Sequence, residues 1–280
     1  MESSPPPTAR SGLRTVYADL DGTLLGPGGS LFAGPDGPSP EAAACLAAMA
    51  GAGVGLVLVS GRTREQMREV ARALGASRYI AELGGVLAFR ERFREVLVKN
   101  HGEFQGSGTP YEAIERSGAA GLLLQTFAGR LEPHEPWAFV PRECSVLLRG
   151  HVDVEEVRTL LADTGYGWLD LLDNGIIANR DRRFANLDFD QVHAYHLVPK
   201  GVNKRTAVAL DRARMELPAE GCVAVGDSAS DLDMAPEVGR VFIVANGAPA
   251  IREVEPPPNL TLMDRPYGLG FADAIVPLLG

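Results

Sequence analysis

Asp19 and Asp21 stand two residues apart in VYADLDGTLL, where a short apolar run gives way to Gly22 and Thr23. Alternate residues of an extended chain share a face, so this spacing presents two carboxylates together at the end of a buried strand. A second apolar run, VGLVLV at 54–59, ends in Ser60-Gly61-Arg62, which offers a hydroxyl and a backbone amide beside a guanidinium. Lys200 lies in Pro199-Lys200-Gly201, and the run at 222–225 leads into Gly226-Asp227, with Asp231 four residues on. Each stretch taken singly has an ordinary explanation. Asp-Gly is a common turn, acids decorate helix N-termini, and a lone lysine is usually solvated. Taken together, all four sit where ligands bind in an open parallel sheet, outside the carboxyl ends of the strands. Asp19, Asp21, Asp227 and Asp231 then crowd into one space, and like charges so placed repel strongly in a low dielectric. A hard divalent cation relieves that repulsion, and an all-oxygen donor set suits Mg²⁺. One member of the acid pair is expected to serve as nucleophile and metal ligand, the other as proton carrier.

The elements that must position these groups follow from pattern. Residues 15–18 read as the first strand. Ser39 caps a helix with Pro40 at its first position, ending near Gly51. Residues 54–59 are continuously apolar, as in a strand buried on both faces. Thr63-Arg64-Glu65-Gln66 is a capping box opening a helix that stops near Gly75, and 79–81 is a third strand. Residues 206–215 read as helix, and 222–225 and 241–244 as strands. Such alternation implies an α/β fold with a doubly wound parallel sheet. Between 86 and 196 the pattern is mixed, with β-like runs at 96–98, 145–148 and 176–178 and a helix at 154–162. That length is far beyond a connection, so it is expected to be an inserted α+β cap, hinged at Leu83-Gly84-Gly85 and Pro199-Lys200-Gly201. The core is then 12–85 plus 197–280, preceded by a polar, Pro-rich tail at 1–11 expected to be disordered.

With 280 residues, of which 45% are hydrophobic and 22% charged, the chain has ordinary globular composition. A formal charge of −9 argues against a nucleic-acid footprint. Cys45, Cys144 and Cys222 are far apart and form no CxxC pair, which indicates neither a disulfide framework nor a zinc ribbon. The N-terminus carries no signal-peptide pattern and no apolar run is long enough to span a membrane, so a cytoplasmic protein, monomer or homodimer, is expected. Gly51-Ala52-Gly53-Val54-Gly55 precedes a strand rather than following one, the reverse of a dinucleotide loop. His193 and His196 have no acidic partner at helical spacing and read as cap-surface or packed histidines rather than zinc ligands.

In order, DLDGTLL, LVLVSGR, PKGVNK and VGDSASDLDM resemble the motifs of the haloacid dehalogenase superfamily of phosphatases, and the large insert is similar to its type IIB (Cof-like) branch. The resemblance implies that Asp19 attacks phosphorus to form an aspartyl-phosphate. It implies that Asp21, protonated under the influence of neighbouring charge, gives its proton to the leaving alcohol and then activates water. Ser60 and the Gly61 amide are implied to hold the phosphoryl oxygens, Gly22 and Arg62 also to bind substrate, and Lys200 to neutralise charge on nucleophile and transferring group. Mg²⁺ is implied to be held by Asp19, the main-chain carbonyl at Asp21, and Asp227, with Asp231 assisting through water or by orienting Lys200. Ala245-Asn246-Gly247-Ala248 is similar to the family's loop facing the phosphate, so Asn246 is a candidate substrate ligand. Two departures from the family pattern stand out. Ser230 replaces a frequent Asn, and Leu83 replaces the Asn of an E-N-G at cap entry.

Within the insert, Arg142-Glu143-Cys144-Ser145 is loosely similar to a segment of mannosyl-3-phosphoglycerate phosphatases, and Arg180-Asp181-Arg182-Arg183 is a basic cluster in an acidic chain. Arg142 and Arg180 are therefore candidates to pair a carboxylate or second phosphate of substrate. The expected activity is hydrolysis of a small phosphorylated sugar or sugar derivative. A phosphomutase of the same superfamily is the alternative within the chemistry, and a non-catalytic phosphosugar-binding sensor the alternative outside it.

Overall fold

Strand β1 (Thr15–Asp19) is buried along its whole length, and its alternating side chains feed two separate apolar clusters. Val16 and Ala18 enter one with Met49, Met67 and Phe271, while Tyr17 enters the other with Val208, Leu232 and Met234. A strand covered on both faces is what an α/β sandwich requires. In the computed structural model, which describes residues 12–91, 94–179, 187–252 and 254–280, the chain continues through α1 (Glu41–Gly51), β2 (Gly55–Val59), α2 (Arg64–Leu74) and β3 (Arg78–Ala81). Helix α2 opens on the expected capping box, Thr63 against Gln66, and stops at Gly75 in the left-handed conformation. The expected N-terminal tail and the Arg180 cluster lie outside the described residues.

The next two strands correct the expected domain boundary. β4 (Val86–Glu91) and β5 (Arg94–Lys99) extend the core sheet antiparallel, Ala81 opposite Val86 and Val86 opposite Lys99. Residues 82–85 form a tight reversal instead of a departure into the insert, and the apolar stretch 86–89 is buried against the core. The chain leaves the core after Lys99. The cap then comprises α3 (Pro110–Ser117), α4 (Ala119–Thr126), β6 (Leu131–Pro133), β7 (Val146–Gly150), α5 (Val154–Asp163), β8 (Leu169–Asn179) and β9 (Gln191–Pro199). Its four strands form an antiparallel sheet in the order β6-β7-β9-β8. One face of that sheet packs Leu148, Leu171 and Leu197 against Ile114, Leu123, Val157 and Leu161 of the helices.

Returning to the core, the chain forms α6 (Lys204–Arg214), β10 (Cys222–Gly226), α7 (Ala229–Leu232), β11 (Arg240–Ile243), β12 (Leu260–Leu262) and α8 (Tyr267–Ile275). The core sheet runs β12-β11-β10-β1-β2-β3-β4-β5, parallel from β12 to β3. β1 lies between β2 and β10, the point where successive crossovers turn to opposite sides and where a crevice opens. Register brings Asp19 opposite Val59 and Ala18 opposite Val225, so the residues that follow β1, β2 and β10 emerge side by side.

Beneath that crevice a buried polar group ties three elements together. The Tyr17 hydroxyl donates to Asp211 Oδ2 at 2.7 Å, and Arg78 donates to the same oxygen at 2.6 Å and to Thr15 Oγ1 at 3.1 Å. Asp211 sits on α6, the helix that starts under the site. Removing one partner of a buried ion pair strands the other charge, at a cost of roughly 3–5 kcal/mol. Arg78→Met is therefore expected to lower unfolding stability by about that amount, measured by denaturant melts, while Arg78→Lys loses less.

Candidate active site

Asp19 is the last residue of β1 and only 7% exposed. Its Oδ1 accepts a hydrogen bond from Lys204 Nζ at 2.8 Å, and the same ammonium donates to Asp231 Oδ1 at 2.6 Å. Lys204 is the first residue of α6 and is held there by a capping box between Asn203 and Thr206. This corrects the expectation for Lys200. The main chain of Lys200 is fixed at the cap crossover, its amide donating to Trp168 O and its carbonyl accepting from Glu103 N, each at 2.8 Å. The motif PKGVNK holds two lysines, and helix geometry selects the second. Asn203, as N-cap three residues before Thr206, starts the helix and puts the next side chain under β1.

Asp231 is fully buried, and its two oxygens do different work. Oδ1 takes the lysine, while Oδ2 accepts from the amides of Asp227 and Ser228 at 3.0 Å and from the Ser228 hydroxyl at 2.8 Å. It orients Lys204 and closes the turn after β10. Ser230, the departure noted above, pairs its hydroxyl with that of Ser228 at 2.9 Å. Asp227 is aimed by Thr23, whose hydroxyl donates to Oδ1 at 3.0 Å. Gly22 passes so close that a Cβ there would fall on Asp227 Oδ2, and its φ of +90° lies where side chains are strained.

Asp19, Asp227 and Asp231 bring carboxylate oxygens within 4.8 Å of one another. Their charges are mutually costly. Burial, opposed by Lys204 and reinforced by Asp231 and Asp227, lifts the Asp19 carboxyl well above its ordinary range. Burial and then Asp231 push Asp227 up to about 7. Burial also works against the Lys204 ammonium, but Asp19 and Asp231 outweigh it and hold it firmly charged. One ammonium faces three carboxylates, so the donor set carries surplus negative charge and fits a hard divalent cation. Asp231 has both oxygens taken by the lysine and the turn amides, which leaves Asp19 and Asp227 as the candidates to hold it.

Asp21 departs from expectation. β1 ends at Asp19, and Gly22 N and Leu25 N already close a turn onto Leu25 O and Leu20 O at 2.8 Å. The same-face rule lapses once the chain curls. The Asp21 carboxylate lies outside the acid cluster, half exposed, and accepts from Arg62 Nε at 2.7 Å and Nη2 at 2.5 Å. Its ion-pair partner is a cation, not the neighbouring acids.

Ser60 is buried directly after β2, and its Oγ accepts from the Arg62 amide at 3.2 Å. The expected substrate contacts of three other residues are replaced by contacts within the protein. Arg62 is engaged by Asp21. Asn246 donates to Gly22 O at 2.9 Å and to Asp227 Oδ2 at 3.4 Å and accepts from Tyr267 N at 3.0 Å, so it braces the Gly22 turn. Arg142, almost fully buried, donates to Ser145 Oγ at 2.9 Å and to the Gly61 carbonyl.

Sequence reasoning missed Thr23 and two cap residues that come down over Gly61. A Cβ on Gly61 would lie 2.8 Å from both Asn174 Nδ2 and His196 Nε2. Asn174 occupies the irregular part of β8 between Asp173 and Ile176. His196 is buried in β9, with Nδ1 at 3.1 Å from Ser145 Oγ; burial, then Arg142, keeps its imidazole neutral by lowering its pKa well below the ordinary value. It is packed, as expected, but packed against the site.

The family profile for haloacid dehalogenase-like hydrolases matches residues 16–105 and 175–255. Among curated relatives, the chain is similar to a phosphoglycolate phosphatase of Methanothrix thermoacetophila, 24% identical over 94% of this chain and 96% of that one. It is also similar to a phosphoglycolate phosphatase of Methanosarcina mazei, 27% identical over 86% and 87%. In fold it resembles a Thermoplasma acidophilum protein (TM-score 0.65, 16% identity, covering 96% of this chain and 99% of that one). It likewise resembles the sucrose-phosphatase of Synechocystis in complex with sucrose and phosphate (TM-score 0.61, 15% identity, 95% and 97%). Among the described residues, no helix is long and apolar enough to cross a membrane.

Two outcomes follow from the geometry. Lys204→Met is expected to cut turnover of an aryl phosphate by at least about a hundredfold, the usual cost of losing a preorganised charge, whereas Lys200→Met leaves it near the parent rate. The second concerns Asp227. With its carboxyl raised to about 7, the metal-free folded state keeps a proton that the unfolded chain releases near pH 4. The folded state binds more protons in that window, so this group's contribution makes stability fall as pH rises from about 4 to about 7. Thermal melts in chelator should show a shallower decline for Asp227→Asn, and added Mg²⁺ at pH 8 should raise the melting temperature of the parent far more than that of the variant.

Proposed function

The chain belongs to the family of haloacid dehalogenase-like hydrolases, and we propose that it is a Mg²⁺-dependent phosphatase that cleaves a small phosphorylated metabolite through an aspartyl-phosphate on Asp19. The observation that carries this reading is the buried Lys204 ammonium shared between Asp19 and Asp231. It favours the ionised form of Asp19 against the burial and neighbouring acids that raise its pKa, and it aims the carboxylate at the crevice, as a nucleophile at a strand end needs. Bound Mg²⁺, held by Asp19 and Asp227, supplies charge neutralisation for an incoming phosphoryl group.

The protein's own groups do the rest. Ser60 directs a hydroxyl and Gly61 an amide at the transferring oxygens, and Lys204 offsets the charge that builds on Asp19 and the phosphoryl group. Asp21, half exposed and paired with Arg62, exchanges that partner for substrate, carries the proton to the leaving alcohol and then takes one from water. Asn174 and His196 come down over the turn at Gly61 and limit the access of water.

The substrate is a phosphorylated sugar or a phosphorylated hydroxy acid. The sugar reading comes from the motif pattern, and the hydroxy-acid reading from two relatives named phosphoglycolate phosphatase that align along most of the chain. Steady-state assays on hexose phosphates, glycerol phosphate and phosphoglycolate, each with and without Mg²⁺, test both. Metal-dependent phosphate release is expected on at least one, and Asp19→Asn should lower kcat by at least about a thousandfold with the fold retained. An Asp19→Asn protein with parental activity removes the mechanism.

A further inference from the structure

The turn after β2 is held from behind at three consecutive carbonyls. Ser60 O accepts from Leu83 N at 3.1 Å, Arg62 O accepts from Glu82 N at 3.0 Å, and between them Gly61 O accepts from the Arg142 guanidinium. In a planar trans peptide the carbonyl of one residue and the N–H of the next point in opposite directions. Pinning Ser60 O therefore aims the Gly61 N–H away from the 82–85 reversal. Pinning Gly61 O aims the Arg62 N–H at Ser60 Oγ, which it reaches at 3.2 Å. With a lone pair of that hydroxyl occupied by Arg62 N–H, its hydrogen is left to be donated. Two of the three pins come from the 82–85 reversal of the core. The middle one comes from the cap.

Arg142 is built to hold that position. Glu82, with φ of +53°, turns its carboxylate under the cap, where it accepts from the successive amides of Glu143, Cys144 and Ser145 at 3.0, 2.9 and 3.2 Å. The segment 143–145 is thereby wrapped around one buried carboxylate, and Arg142 at its start has nowhere to swing. Its Nε lies 3.8 Å from Glu82 Oε2, both side chains being nearly fully buried. Gly61 has no side chain to resist rotation of its peptide, so the orientation of that peptide depends on what grips its carbonyl.

We propose that Arg142 is a positioning residue that completes the phosphate-holding turn from the cap, so that Ser60 and its peptide are correctly aimed only when the cap is docked. It acts through the Gly61 peptide and does not touch substrate. The inference rests on the phosphatase reading, in which that turn holds the phosphoryl group.

Arg142→Lys keeps a positive charge beside Glu82 but loses the planar fork that reaches Ser145 and Gly61 together. Calorimetric titration with orthophosphate in the presence of Mg²⁺, and kcat and KM on an aryl phosphate, compare it with the parent. Orthophosphate affinity is expected to fall about tenfold and kcat/KM by roughly 10- to 100-fold, the scale of a small misplacement in a positioned site. The melting temperature should stay within a few degrees of the parent. Arg142→Gln should show the larger loss; if it does not fold, the lysine variant carries the test alone. Unchanged orthophosphate binding and kcat in the lysine variant overturn the proposal, as does a rise in KM on one substrate with orthophosphate binding unchanged, which makes Arg142 a leaving-group contact. A parent protein that neither binds orthophosphate nor hydrolyses phosphate esters defeats the phosphatase reading itself, and this inference with it.

Discussion

Three carboxylates share one ammonium at the end of β1, and much of the molecule exists to make that arrangement tolerable. Asp19, Asp227 and Asp231 would repel one another in a dry crevice. Lys204 offsets part of the charge and is itself held by the acids against the cost of its burial. The remainder fits the charge of a divalent cation. The geometry is rigid because it is set by secondary structure: a strand terminus fixes Asp19, a capped helix N-terminus fixes Lys204, and a turn saturated with amide donors fixes Asp231. Helix α6 in turn is held to the sheet seven residues further on by the Asp211, Arg78 and Tyr17 group. The lysine's position is therefore a consequence of packing well below the site.

A second constraint lies at the junction between core and cap. Glu82 and Leu83 both adopt positive φ without being glycine, a conformation that costs free energy and persists where surrounding contacts enforce it. Here those contacts run both ways. The amides of 82 and 83 hold the turn after β2, and the Glu82 carboxylate holds the cap segment 143–145. The 82–85 reversal is thus one short element bonded at once to the turn after β2 and to the cap. Where the family pattern has Asn, this chain has Leu83, buried at 1% exposure. Its backbone amide does the polar work there, and the side chain is left to pack.

The core was legible in the sequence because its signals are local. Apolar runs of strand length, the Thr63–Gln66 capping box and Gly75 are read from neighbours within a few residues, and each element formed near its expected place. The acid at each strand end was equally plain. What was not legible depended on where a chain stops being regular. Asp19 and Asp21 share a face only if the strand continues, and it ends between them. Lys200 and Lys204 occupy the same motif, and only the capping box at Asn203 tells which one enters the site. The hairpin at 86–99 reads as the start of an insert because strand-like residues carry no label for the sheet they join. Arg142 looked like a substrate ligand because a sequence shows charge and not partners; Ser145 and the Gly61 carbonyl take its hydrogen bonds, and Glu82, far off in sequence, holds the segment that carries it.

The two aspartates of the opening motif end with opposite surroundings, and that difference suits each to its proposed role. Asp19 is desolvated, bonded to a fixed ammonium and enclosed by other acids, so its carboxylate is immobile and aimed. Asp21 is half in water and paired to an arginine that is itself partly exposed. An exposed ion pair is worth at most about 1 kcal/mol, little enough for an arriving phosphate ester to break. A nucleophile benefits from the first environment, because reorganisation at the moment of attack would raise the barrier. A group that must gain and lose a proton in one cycle benefits from the second, because it needs access to water and freedom to turn. Two residues of spacing, one inside a strand and one just beyond it, are enough to produce both.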